Sequence, residues 1–238
     1  MSETFLDGRV KVAQPQTGFR SGLDAVMLAA AVPATAGQTV LELGAGAGTA
    51  SLCLVARVSG IWVTGVEIDA GLAALAARNA AANSANCKFV AADIFALPSD
   101  LKREFDQVLA NPPFHGEGQA SPDPMRAAAL MDGGALRDWL RLGLQRTVSG
   151  GFFTAILRAD RLNEALAALP ERGVCAFPLW PKADEPPKRV IVQVRKGSGA
   201  PFALLPGLVL HRADGSWTDE ADAVLRRGTA LALSGARL

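Results

Sequence analysis

At 238 residues, half of them apolar, the chain has enough material for one large α/β unit with its own core. A formal net charge of +1 excludes a protein held to a polyanion by bulk charge and leaves only local patches for such a role. Cys53, Cys87 and Cys175 are scattered without metal-ligand spacing, no apolar run reaches the length of a membrane span, and an acidic third residue stands where a signal region would begin; a reduced, cytoplasmic protein without a metal is expected.

Taken in order, Thr4 to Val12 alternates around Asp7-Gly8, a strong hairpin signal. Gln14 to Leu28 follows as a polar segment running into a helix. Thr39 to Leu43 reads as a buried parallel strand, Gly44-Ala45-Gly46-Ala47-Gly48 as a tight turn, and Thr49 to Arg57 as a helix. Glycines there let the backbone turn sharply and a ligand approach closely. A dinucleotide fingerprint would need G-x-G-x-x-G, but position 49 is Thr, so the spacing disfavours NAD and points to a cofactor without a pyrophosphate. The next strand, Ile61 to Ile68, ends in Glu67-Ile68-Asp69 about twenty residues further on, where an acid reaches ribose hydroxyls. Glu67 is the candidate for that role, and Asp69 for the cap of the following helix.

Strands from Cys87 to Ala92 and from Asp106 to Ala110 finish at Asp93 and Asn111. Polar residues therefore recur at successive strand ends, the edge at which open α/β sheets bind ligands. Asn111-Pro112-Pro113-Phe114 adds a chemical argument. A planar amine is a poor nucleophile because its lone pair is delocalised; two acceptors holding its hydrogens can pyramidalise and aim it. The Asn111 side chain and the carbonyl of the stiff Pro112 can supply them. Beyond lies a Gly- and Pro-rich stretch from His115 to Gly134, with Arg126 as a cation suited to phosphate. Helices over Leu136 to Thr147 and Leu162 to Leu169, and strands over Gly151 to Leu157, Val174 to Leu179 and Arg189 to Val194, complete the sheet. Pro181 to Lys188 is too short for a crossover helix, so the last two strands must pair antiparallel. Leu208 to Arg212 and Trp217 to Gly228 form a final strand and helix, with Thr218 as cap. A basic excess falls late, around Lys182, Lys188, Arg189, Arg195 and Lys196.

The order LGAGAG, VEID, AADI and NPPF resembles the S-adenosylmethionine-dependent methyltransferases that act on amines. The resemblance implies an α/β, Rossmann-like seven-stranded sheet with one antiparallel strand, and a single domain over residues 1–238 in which residues 1–35 precede the catalytic fold at 36–238. It implies S-adenosylmethionine bound by Gly44, Ala45, Gly46, Gly48, Glu67, Ile68 and Asp93. Asn111 and Pro112 would hold the amine, and Phe114 would stack on the base. The segment Gln14 to Leu28 resembles the start of bacterial tRNA(Val) adenine methyltransferases, which would bring Arg20 and Asp24 to the methionine end. His115 after NPPF is typical of ribosomal RNA guanine methyltransferases. The expected reaction is methyl transfer to the exocyclic amine of a base in RNA, with adenine in tRNA the leading target, guanine N2 in rRNA the alternative, and His115 and Arg126 as substrate contacts. The stretch from His115 would then fold over an extruded nucleotide. Glutamine methylation of release factors uses a related NPPY element, but those enzymes carry a separate N-terminal domain, and only about forty residues precede the glycines here. A scaffold that had lost transfer is opposed by the intact Asn111, Pro112 and Phe114. Oligomeric state is left open.

Overall fold

The computed structural model describes residues 2–15, 20–113, 134–231 and 233. The chain opens with a hairpin of β1 (Ser2–Phe5) and β2 (Val10–Ala13), turned by Leu6, Asp7 and Gly8 in left-handed conformations. Helix α1 (Leu23–Ala31) follows, nearly all of it buried. Strand β3 (Thr39–Leu43), helix α2 (Thr49–Arg57), strand β4 (Trp62–Glu67), helix α3 (Ala70–Ala82), strand β5 (Cys87–Ala91) and strand β6 (Phe105–Ala110) then alternate as the sequence predicts. The second half holds α4 (Gly134–Gln145), β7 (Thr147–Arg158), α5 (Leu162–Ala168), β8 (Val174–Trp180), β9 (Arg189–Arg195), β10 (Ala203–Leu204), β11 (Leu208–Val209) and α6 (Asp219–Asp222). Thr218 caps α6 as expected, accepting from the Ala221 N–H, and the helix widens into a π turn over Ala223–Arg227 before Gly228 ends it.

In the main sheet the order is β5-β4-β3-β6-β7-β9-β8. Strand β9 is antiparallel to both β7 and β8, while the rest of that row is parallel. This is the expected seven-strand row with one reversed member. Two short strands extend it: β10 and β11 pair in tandem along the outer side of β8, making nine. The predicted final strand thus shortens to Leu208–Val209, because β11 reaches only the last two residues of β8.

Alternation along the strands sorts the core into two layers. Val40 of β3 joins α1 and α2 residues such as Met27, Leu28 and Leu52 on one face. Its neighbours Leu41 and Leu43 join Leu136 and Leu140 of α4 and Ala165 of α5 on the other. A strand covered on both faces reads as a continuous apolar run, as Thr39–Leu43 does apart from Glu42.

The hairpin is fastened to this body by α3. Asn79, buried among alanines, accepts from the Ala13 N–H at 2.9 Å and donates to the Ala13 carbonyl at 3.0 Å and the Ala47 carbonyl at 2.9 Å. One turn on, Asn83 exchanges the same pair of bonds with Lys11. Two amides spaced i, i+4 thereby satisfy an exposed edge of β2 that would otherwise lack partners. Asn79→Ala is expected to lower unfolding free energy by about 2–4 kcal/mol, since it orphans buried backbone groups. Urea titration of the variant beside Asn83→Ala, which lies at a more exposed position and should cost less, checks this.

Candidate active site

The site is assembled where four parallel strands end side by side. Leu43 pairs with Val66 and with Ala110, and Glu67 with Ala91. Asn111, Gly44, Glu67 and the residues leading to Asp93 therefore stand in one row across β6, β3, β4 and β5, at strand spacings of about 4.8 Å. Between β3 and β6 the chain changes direction across the sheet. That is the topological switch point, where open α/β sheets form a crevice.

The glycine turn leaves β3 with Gly44, Gly46 and Gly48 all at positive φ (68°, 54° and 84°). At Gly44 a Cβ would lie 2.6 Å from the Trp139 ring, and at Gly48 it would lie 2.7 Å from Phe89. Nothing occupies the position beside Gly46 within 4 Å, so two glycines serve packing and the middle one faces open space. Here a ligand can approach the backbone.

Two carboxylates hold the turn. Glu67, only 8% exposed, accepts the Gly46 N–H at 2.8 Å through Oε2 and the Asp69 N–H at 3.0 Å through Oε1. Glu42, buried on β3, accepts the Ser51 N–H at 3.1 Å and the Ser51 hydroxyl. Ser51 lies in the first turn of α2, so Glu42 satisfies one of the unpaired N–H groups at that helix start. Burial pushes the Glu42 carboxyl up to about 7; the Ser51 bonds oppose the rise and the nearby Glu67 charge adds to it. Burial, and then the Glu42 charge, push the Cys53 and Cys87 thiols up to about 12, which keeps them protonated and inert. Among the described residues no cluster of His, Cys, Asp or Glu could hold a metal.

Asp69 caps α3 through the Leu72 N–H at 2.8 Å, as expected. Asp93 caps the turn after β5 through the Phe95 N–H at 2.8 Å. Ile68 is 62% exposed beside Glu67, an apolar surface at the mouth of the crevice. A carboxylate beside an open glycine, an exposed aliphatic side chain and an acid at the next strand end fit a ribose, a purine face and its edge. These residues fit S-adenosylmethionine, which carries no phosphate.

On the other side of the switch point, Pro112 is buried and Asn111 is half-buried. The Asn111 Oδ1 is buried without a hydrogen-bond partner among the described residues. Such an orphan acceptor costs about 1–3 kcal/mol unless a donor meets it. Phe114, His115 and Arg126, together with the stretch from His115 to Gly134 up to residue 133, lie outside the described residues.

The leading segment is tied down by charge. Arg20 pairs with Glu3 on β1, and Asp24 accepts from Arg189 Nε at 2.8 Å. Gln14, buried, donates to the Ser21 carbonyl at 2.9 Å and accepts the Ser21 N–H. Both charged residues expected at the methionine end are thus engaged within the protein. Sequence reasoning missed Glu42, Ser51, Asn79 and Trp139. A carboxylate inside an otherwise apolar strand and an asparagine inside an alanine-rich helix were the available signals.

A family model described as the methyltransferase small domain matches residues 21–136. A tRNA1(Val) (adenine(37)-N6)-methyltransferase of Dickeya chrysanthemi is 30% identical over 193 residues, covering 78% of this chain and 76% of that protein. The ribosomal RNA small subunit methyltransferase C of Escherichia coli is 32% identical over 153 residues, covering 63% of this chain and 43% of that protein. Among solved structures, a predicted O-methyltransferase of Agrobacterium tumefaciens superposes with a TM-score of 0.72 at 28% identity, covering 87% of this chain and 97% of that one.

Glu42 generates a pH prediction. Its carboxyl holds a proton up to about pH 7 in the folded protein but only to the ordinary 4.5 when unfolded. Folding therefore takes up a proton between those values. The stability tied to Glu42 is complete below the lower value, declines through the window and is gone above about pH 7, a loss of about 3 kcal/mol. Glu42→Gln should remove that decline. Urea unfolding of both proteins at pH 5 and pH 8 tests it, and an equal pH dependence in the two would refute it.

Proposed function

The chain belongs to the family of the tRNA1(Val) (adenine(37)-N6)-methyltransferases, S-adenosylmethionine-dependent N-methyltransferases of the small-domain type, and on that premise we propose that it methylates the exocyclic amine of a base in RNA, with adenine in tRNA the leading target. The observation that carries the reading is the buried Asn111 Oδ1 at the switch point, which has no hydrogen-bond partner among the described residues. An amide oxygen can accept but not donate, so a ligand that meets it does so through an N–H or O–H group. A planar amine offers two hydrogens. The Pro112 carbonyl, held by the stiff Pro-Pro step, takes the second.

When bound, S-adenosylmethionine supplies a methyl group already activated on a positively charged sulfur. The chain's own residues then position rather than activate. Asn111 and Pro112 orient the amine; Glu67 holds the ribose with lone pairs left free by its bonds to Gly46 and Asp69; Ile68 and Asp93 meet the purine. Loss of the amine proton follows transfer, so a strong base at the start is unnecessary. The stretch that begins at Phe114 is assigned to the base, with Phe114 stacked on it and His115 and Arg126 as further contacts. Guanine N2 in rRNA is the second reading, favoured by His115 and by the likeness to the E. coli rRNA enzyme.

Asn111→Ala is expected to reduce methyl transfer by more than about a hundredfold while cofactor affinity stays within about tenfold. Transfer of labelled methyl groups to unmodified tRNA and to rRNA fragments, followed by nucleoside analysis, measures activity and target together. Label in N6-methyladenosine of tRNA supports the leading reading, and label in N2-methylguanosine of rRNA replaces it with the second.

Glu67→Ala should act twice. The turn loses the acceptor for two backbone N–H groups as well as the ribose ligand, so cofactor affinity should fall by at least about tenfold and Tm should fall with it. Calorimetric titration with S-adenosylhomocysteine and a thermal melt separate the two effects.

A further inference from the structure

The late basic run, continuous in sequence, is split by the fold. Strand β9 runs opposite to its neighbours, so its first residue, Arg189, lies beside Arg158 at the end of β7 and Leu179 at the end of β8. That is the sheet edge on which Asn111 follows β6. Its last residue, Arg195, pairs with Phe152 at the far edge, where Lys196 is held by Glu104 at 2.7 Å and by the Thr147 carbonyl. Lys182 and Lys188, in the connection between β8 and β9, belong with Asn111; Arg195 and Lys196 do not.

Along the catalytic edge the side chains continue outward from Asn111. Arg158 and Arg189 come first, paired with Asp160 and Asp24. Lys188 is exposed and has no ion-pair partner among the described residues. Lys182 reaches the Ala213 carbonyl at 3.2 Å, which sets its ammonium near the turn that carries a stacked pair, His211 on Trp217, with ring centroids 4.1 Å apart. Both rings are partly exposed. From β6 across β7, β9 and β8 to β11 is four strand spacings, about 19 Å. At a rise of about 3.4 Å per stacked nucleotide this accommodates several residues of a single strand. The cofactor residues occupy the opposite half of the sheet.

We propose that the RNA strand flanking the target base leaves Asn111 across the ends of β7, β9 and β8, with Lys188 and Lys182 against its phosphates and the His211–Trp217 stack beside a flanking base; this rests on the RNA reading above. Lysines supply the sequence-independent part of such binding, and a stacked aromatic surface accepts any base. Asp184 and Glu185 lie in the same connection and oppose the polyanion.

The test uses the full chain and an unmodified tRNA transcript. Lys182→Gln/Lys188→Gln should weaken binding about tenfold at moderate salt and lower the salt slope by about 1.4, the value for two single-strand phosphates. Asp184→Asn/Glu185→Gln should tighten binding, Lys196→Gln should leave it unchanged, and KM for S-adenosylmethionine should be the same in all. Wild-type affinity in the double lysine variant, with RNA still methylated by the wild type, would overturn the path and leave the RNA reading standing. If the wild type labels no RNA, both fall together.

Discussion

The turn between β3 and α2 depends on two carboxylates accepting backbone N–H groups from opposite sides. Glu42 takes Ser51 at the start of the helix, and Glu67 takes Gly46 in the middle of the turn. Without them the left-handed glycine path would leave buried donors unpaired. With them, Gly46 is presented to open space while Gly44 and Gly48 are closed off by Trp139 and Phe89. The cost is a buried acid: burial raises the Glu42 carboxyl to about 7, and the nearby Glu67 charge adds to the rise.

The sheet then converts this local device into a division of labour. Strands β3, β4 and β5 on one side of the switch point supply Gly46, Glu67 and Asp93; β6 on the other supplies Asn111. Registry places Gly44 and Asn111 directly after paired residues, Leu43 and Ala110, so groups far apart in the chain stand about one strand spacing apart. The reversed β9 carries this further. It returns part of the basic run to the edge where Asn111 follows β6 and sends the remainder to the far side.

Packing ties the periphery to the same turn. Asn79 bonds both the hairpin at Ala13 and the turn at Ala47, and Trp139, on the helix that follows residues 114–133, lies against Gly44. Parts of the chain on either side of the switch point therefore pack against the same turn.

The amino-acid sequence by itself determined the alternation of strands and helices, the glycine turn, the caps Asp69 and Thr218, and the row of polar strand ends, because each rests on local propensity or short periodicity. It also carried the antiparallel pairing of β8 and β9, since eight residues cannot hold a crossover helix. Glu67 was legible as an acid at the right distance, but not as a support of the turn; Glu42 and Asn79 were legible only as polar residues in apolar surroundings. Their roles depend on which distant backbone groups are left without partners. Only the tertiary structure decides that, because burial and strand registry create the unpaired donors these side chains satisfy, and neither is a property of the residues' neighbours in the chain.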